Sequence, residues 1–391
     1  MTARSIQILE TCHALSRGGA KVRSFWAGLP RPGWKQRGLE FYGIQPVQGL
    51  HLHRIPSLLS QRTSRIRVSW RLPFDLFLGA HFLTAAMRHR RNRWIFYTRD
   101  MDAAARLFPL ARRLGIPTIY EAHDLKQEAL RMEMEEKGQH VDWTKLSRIT
   151  RMENTVLKFA DAVVSVSEGT LDSIQSLTPD GIHCLIRNGV RLPRPEELRL
   201  GGVPGGPVAY SGHLYGWKGV DLMVQALAAV PKVPFFILGG DEDPGTLGAL
   251  REQMTLMGLH DRGELRGFVP PREVRSHLMQ ARVLVLSLPD TYYNRRFTCP
   301  LKLLEYMSTG IPIVASDLPT VSQLVRHNKD ALLVPPGDVH ALSEGIRRLL
   351  SDADLSRRLG TSAVERVAQY SWDRRAEMIL NLAERIYGTP E

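Results

Sequence analysis

A chain of 391 residues exceeds what one ordinary compact core holds, so two domains are the first expectation. Hydrophobic residues make up 43% and charged residues 24%, which excludes a disordered chain and leaves enough apolar mass for large cores. The net charge of +12 is unevenly spread: residues 1–200 carry 31 Lys+Arg against 19 Asp+Glu, whereas residues 201–391 carry 21 of each.

The N-terminal excess is clustered. Arg54, Arg62, Arg65, Arg67 and Arg71 surround a Leu, Ile, Val and Trp mixture, and Arg88, Arg90, Arg91 and Arg93 follow. Such clusters suit phosphates, whether in lipid headgroups, lipid-linked acceptors or nucleic acid, and they also fit a solvated basic face. Cys12, Cys184 and Cys299 contain no CxxC pair and leave one thiol over in any pairing, so a reducing cytoplasm is expected. No run approaches the roughly 18–20 apolar residues of a spanning helix, and the N-terminal stretch lacks the basic-then-apolar order of a signal peptide. A cytosolic protein is expected, touching a membrane only at its inner face.

In chain order, short apolar runs alternate with helical patterns. Ile6–Leu9, 94–98, 118–121 and 162–167 read as buried parallel strands, each before a loop and a helix, which is doubly wound α/β architecture. The stretch 201–207, Gly-Gly-Val-Pro-Gly-Gly-Pro, is the densest Gly/Pro segment and marks the expected domain boundary. A second series follows with strands at 208–211, 234–238, 264–268, 283–287, 313–316 and 331–334, and helices at 220–229 and 339–350 between them. The expected fold is thus α/β, with two Rossmann-like doubly wound domains over residues 1–200 and 201–371. Such domains bind ligands in the crevice at the carboxyl ends of their strands. The stretch Trp372 to Tyr387 is amphipathic at helical spacing, and the C-terminal segment 372–391 is expected to cross back onto the first domain.

Four segments carry chemistry. In Thr298-Cys299-Pro300-Leu301-Lys302-Leu303-Leu304-Glu305, Thr298 or Cys299 suits a helix N-cap and Pro300 the first turn, while Gly310 and Pro312 stop the helix. Free amides at Lys302, Leu303 and Leu304, with the positive end of the helix dipole, form an expected diphosphate site, and Glu305 is placed to accept hydrogen bonds from ribose hydroxyls. Residues 210–221 read as a strand opening into a glycine loop; Gly212 permits close backbone approach and Lys218 supplies a point charge for a leaving diphosphate. Gly18 and Gly19 form a second Gly-Gly loop, read as following the first strand, without the spacing of dinucleotide or P-loop fingerprints. Finally, Tyr120-Glu121-Ala122-His123-Asp124 places a His and carboxylates just past a strand's carboxyl end.

Together these residues resemble glycosyltransferase family 4, retaining enzymes with the GT-B fold, over nearly the whole chain. Gly212 to Gly219 resembles the family's glycine loop with its phosphate-binding Lys, and Thr298 to Glu305 a TSPLKLxEYM variant of its acidic nucleotide-sugar motif. Asn188-Gly189-Val190, Arg266-Gly267-Phe268-Val269 and Tyr370-Ser371-Trp372-Asp373 resemble the segment closing the first domain, the strand end beside the base and the opening of the crossover helix. The resemblance implies transfer of a sugar from a UDP- or GDP-sugar to a sugar or lipid-linked acceptor without a metal. It implies that Gly18 and Gly19 line the donor diphosphate, Lys218 neutralises it, Leu303 and Leu304 offer backbone donors, Glu305 holds the ribose and His123 contacts the transferred sugar. Retention is then explained by front-face attack in which the leaving phosphate takes the acceptor proton.

Two positions depart from the family pattern. His213 stands where an Arg often precedes the phosphate-binding Lys, and Phe297 stands where a first glutamate commonly reads sugar hydroxyls. Asn294, Arg295 or Thr298 are the candidates to replace it. Arg62, Arg65 and Arg67 are assigned to the acceptor or to an anionic membrane. A nucleotide-sugar epimerase shares the paired-domain plan and would need no acceptor; a phosphorylase would need a cofactor-binding lysine context that is not found. A nucleic-acid-binding protein rests on charge alone, with no zinc, RNP-like or basic heptad motif, and nucleic acid is not expected as a partner.

Overall fold

The computed structural model describes residues 3–27, 32–55, 72–88, 93–240 and 244–388. It contains two compact units. One comprises Met1–Glu40, Ile44–Arg187 and Asp373–Glu391; the other comprises Phe41–Gly43 and Asn188–Trp372. The division at 187/188 precedes the Gly/Pro stretch expected to mark it. That stretch belongs inside the second unit, because the Val203 amide donates to the Ala281 carbonyl at 3.0 Å and the Arg282 amide donates to that of Pro207 at 2.8 Å.

In the first unit, β1 (Val22–Ala27) pairs in parallel with β2 (Leu50–Ile55). A separate four-stranded parallel sheet runs β3 (Phe96–Thr98), β4 (Thr118–Ala122), β5 (Ala162–Ser165) and β6 (His183–Leu185) in that order. Successive residues of β4 face opposite cores. Tyr120 and Ala122 join Phe108 and Val156, while Ile119 joins Ile379 and Leu382 of the helix Trp372–Tyr387.

The Ile6–Leu9 strand is corrected: those residues lie in the helix Ala3–Arg17. A four-residue apolar run fits either element, and here burial recurs at Gln7, Thr11 and Ala14, the helical period. Gly18 and Gly19 therefore end a helix. The Gly18 amide donates to the Ala14 carbonyl at 2.9 Å, Gly19 takes a φ of 93°, and the chain then enters the amino end of β1. A Cβ on Gly18 would lie 2.9 Å from Leu380, so this glycine serves helix packing.

The second unit holds one six-stranded parallel sheet. Its strands are β7 (Val208–Ser211), β8 (Phe235–Leu238), β9 (Gly263–Gly267), β10 (Val283–Leu286), β11 (Ile313–Ser316) and β12 (Leu332–Val334). They lie in the order β12-β11-β10-β7-β8-β9. Ala209, Phe236, Leu284 and Ile313 enter one core; Val208, Phe235, Val283 and Val314 enter the other. Burial on both faces is why these strands read as unbroken apolar runs. The order reverses between β7 and β10, the topological switch point where open α/β sheets bind ligands. The unit is closed where its ends meet: the Val190 amide donates to the Tyr370 carbonyl at 2.8 Å.

Candidate active site

At the switch point of the second unit, the chain leaves β7 through Gly212, whose φ of 135° suits glycine and whose amide donates to the Leu238 carbonyl at 2.8 Å. The Tyr210 hydroxyl donates to the His213 carbonyl at 2.8 Å, holding the loop over the strand end. His213 stacks on Tyr215, and Tyr215 on Trp217, with ring centroids 5.1 and 6.1 Å apart. Lys218 folds back so that Nζ lies 3.5 Å from the Trp217 ring centroid, and burial pulls its ammonium down to about 8. Gly219 ends the loop in the left-handed region, where its carbonyl accepts the Ser287 hydroxyl from beyond β10.

The helix Leu301–Met307 approaches from the other side. The Ser211 amide donates to the Tyr306 hydroxyl at 2.8 Å, fixing this helix to the end of β7. Lys302 points under the glycine loop, its Nζ 3.7 Å from the Tyr210 ring centroid. That nitrogen is buried and has no hydrogen-bond partner. Burial, then the charge of Lys218, holds the Lys302 ammonium well below the usual lysine range, opposed by Glu305. Glu305 is half-buried on the same helix. Phe268 and Val269 follow β9; Phe268 is 61% exposed beside Gly240, and Val269 packs on the core.

Two expectations for this segment are corrected. Pro300, with no side-chain cap bond, stands at the N-cap position, while the Thr298 hydroxyl donates to Asn294 Oδ1 at 3.0 Å. The Leu303 amide is already bonded to the Pro300 carbonyl at 3.0 Å, so it is not a free donor. Phe297 is a core side chain at 1% exposure, in edge contact with Tyr292 and Tyr293, which removes its place from any polar role. Asn294 is fully buried and donates to the Trp217 and Pro289 carbonyls at 3.1 and 3.0 Å, so its amide and the Thr298 hydroxyl bond within the protein. Of the three candidates to read sugar hydroxyls, Arg295 keeps an exposed charge, paired with Asp290 at 3.3 Å.

In the first unit, His123 follows β4 and its Nε2 lies 2.6 Å from Glu121 Oε1. Glu121 sits at the centre of a buried network. Arg375 Nη2 donates to its Oε2 at 2.7 Å, Tyr97 donates to the same oxygen, and Gln7, held by Arg99, donates to Oε1. Arg375 also donates to the Ile186 and Arg187 carbonyls at 2.7 and 2.8 Å. Burial would raise the Glu121 carboxyl, but the charge of Arg375, the hydrogen bond from His123 and the charge of Arg99 outweigh it and hold the group well below the carboxylate range. Burial lowers His123 against the pull of Glu121. A neutral ring donating from Nε2 to an ionised Glu121 presents Nδ1 as an acceptor; this tautomer is assigned from the network.

Sequence reasoning named Glu121 only as one of the carboxylates beside His123 and did not single out Arg375. The available signal was a carboxylate inside a buried strand and an arginine on the apolar stripe that carries Ile379 and Leu382. Gly18 and Gly19, ending a helix, are not the expected loop after a strand. Arg62, Arg65 and Arg67 lie outside the described residues. Among the described residues no three His, Cys, Asp or Glu side chains cluster as metal ligands, and no helix is long and apolar enough to cross a membrane.

Residues 207–352, most of the second unit, match the family model Glycosyl transferases group 1. An exopolysaccharide phosphotransferase of Streptomyces coelicolor is 37% identical over 158 residues, covering 40% of this chain and 16% of that protein. The alpha-maltose-1-phosphate synthase of Mycolicibacterium smegmatis is 29% identical over 304 residues, covering 70% of this chain and 74% of the relative. Sucrose-phosphate synthase from Thermosynechococcus elongatus superposes with a TM-score of 0.75 at 20% identity, covering 99% of this chain and 94% of that one. Anabaena HepE in complex with UDP-glucose gives 0.70 at 18% identity, covering 98% and 96%. These structural likenesses show the fold, which is that of the GT-B glycosyltransferases.

Proposed function

We propose that the chain is a retaining, metal-independent enzyme of glycosyltransferase family 4. It moves a sugar from a UDP- or GDP-sugar to an acceptor hydroxyl in polysaccharide or glycolipid assembly. The observation that carries this reading is the convergence of Lys218 with the glycine loop at the β7/β10 switch point of a domain matching Glycosyl transferases group 1. HepE, a neighbour in fold, was solved with UDP-glucose, which supports a nucleotide-diphosphate sugar as donor.

In this reading Lys218 sits against the donor diphosphate and stabilises the charge that grows as the bond from the anomeric carbon to the phosphate oxygen breaks. The acceptor oxygen attacks from the same face, and its proton passes to the departing phosphate oxygen. Fixed positive charge from lysine serves where a divalent cation otherwise would. Glu305 accepts the ribose hydroxyls, and Phe268 and Val269 border the base. Arg295 is the candidate to read the sugar. His123, neutral with Nδ1 as acceptor, orients the sugar, and Glu121 fixes its ring. Arg62, Arg65 and Arg67 serve a lipid-linked acceptor or an anionic membrane surface, the enzyme working in the cytoplasm and on the inner face of the membrane.

Calorimetry with UDP, GDP and their sugars tests the donor site, followed by nucleoside diphosphate release with acceptor mixtures in EDTA. The anomeric configuration of the product is read by NMR. Lack of affinity for every nucleoside diphosphate would sink the reading, an inverted anomer would remove retention, and isomerised donor without acceptor would point to an epimerase. Replacing Arg62, Arg65 and Arg67 with Ser is expected to reduce binding to vesicles containing anionic lipid; unchanged binding and acceptor use would remove that role.

A further inference from the structure

Lys302 carries a buried amine that the rest of the second unit leaves without a hydrogen-bond partner. Buried lysine nitrogens are ordinarily paired with a carboxylate or surrounded by carbonyls, because an unsatisfied one costs desolvation with no return. Its surroundings explain little of its presence. Tyr210 of β7 offers a ring face, Lys218 of the glycine loop repels it, and Glu305 of its own helix attracts it without a hydrogen bond. An apolar side chain of the same length would fill this volume at lower cost.

The space around Nζ has one built feature. A Cβ on Gly212 would stand 2.7 Å from Lys302 Nζ and 2.9 Å from its Cε, so the missing side chain at 212 is what lets the amine reach the underside of the glycine loop. Lys218 of the loop is near enough to repel the Lys302 ammonium, and His213 adds no permanent charge to the loop. We infer that Lys302 is the second cation for the donor diphosphate, reaching it beneath Gly212. This rests on the donor reading above. Because burial and Lys218 disfavour the charged amine in the free protein, the diphosphate arrives with uptake of a proton, and the groups facing the amine are Tyr210, Lys218 and Glu305.

The test uses the full chain with Lys302→Met and Lys302→Gln, titrated with UDP and GDP, and with uridine and guanosine as phosphate-free controls. The expected result is a loss of about tenfold or more in affinity for the nucleoside diphosphate, with nucleoside affinity unchanged. The unliganded Lys302→Met protein should melt above the wild type, since a buried unsatisfied group has been removed. A structural lysine would give the opposite sign in melting. Heats measured in two buffers of different ionisation enthalpy should show less proton uptake in both variants than in the wild type. Diphosphate affinity within twofold of wild type in both variants would overturn the assignment while leaving the donor reading intact. A wild-type chain that binds neither diphosphate would overturn both.

Discussion

Around Glu121 each buried charge meets its complement: Arg375 on one oxygen, His123 and Gln7 on the other, with the Ile186 and Arg187 carbonyls and the Thr11 and Tyr97 hydroxyls taking the remaining guanidinium hydrogens. Around Lys302 the buried nitrogen meets a ring face, a second lysine and the charge of Glu305, with no hydrogen bond to any of them. Both clusters lie near the carboxyl ends of parallel strands, so position does not distinguish them. Completeness does. A satisfied buried network needs nothing further and orients what it holds, here His123; an unsatisfied one has work that begins when an anion arrives.

Breaking the first cluster should give the largest effect. Arg375→Met leaves Glu121 without its buried counter-charge, and a loss of about 3–5 kcal/mol in stability is expected from urea unfolding. A loss under about 1 kcal/mol would mean that the network is not a closed unit, and the contrast with Lys302 would fail. Next, Lys218→Ala should lower kcat/KM by roughly 100-fold, because a preorganised charge facing the leaving group is removed. Its stability should change little, as Lys218 is half-buried and makes no ion pair among the described residues. An equal loss of stability and turnover would make it a packing residue.

The pH dependence sharpens the same contrast. Lys218 is lowered from 10.5 to about 8 in the folded chain. Between those values the unfolded chain holds a proton that the folded chain has released, so this group adds stability as pH rises from about 8 toward 10.5. Diphosphate affinity runs the other way and should fall as pH rises above 8; Lys218→Arg should remove the share of that fall due to Lys218 and leave the share due to Lys302. A profile unchanged by the arginine would assign the titration elsewhere. The smallest effect is expected for His123→Ala, about five- to tenfold in kcat with little change in nucleoside diphosphate affinity, the size of one lost hydrogen bond. A loss confined to nucleotide binding would contradict an orienting role toward the sugar.

Much of the second unit is legible in the sequence because its strands are buried on both faces. β7, β11 and the helix Trp372–Tyr387 begin and end where the apolar pattern does. β1 and β2 escape notice because Val22-Arg23-Ser24-Phe25-Trp26-Ala27 and Leu50-His51-Leu52-His53-Arg54-Ile55 mix charge and rings in a two-stranded sheet that is only partly buried. At the site, the glycines mark the loop, since Gly212 must adopt a conformation other residues resist. The roles of Glu121 and Arg375 depend on a contact across 254 residues, which local pattern does not encode. Lys302 is visible as a charge, but only the fold shows that it turns inward under Gly212.

Asn294 has a further consequence. Its side chain holds the Trp217 and Pro289 carbonyls and the Thr298 hydroxyl, and its own carbonyl accepts from Thr320 at 2.5 Å. One amide thus welds residues 289–298 to the glycine loop. Grafting that segment from a related chain to change sugar preference would shift residue 217, and with it Lys218, unless the graft keeps an asparagine at 294. The two stretches form one transplantable module, and exchanging either alone alters both.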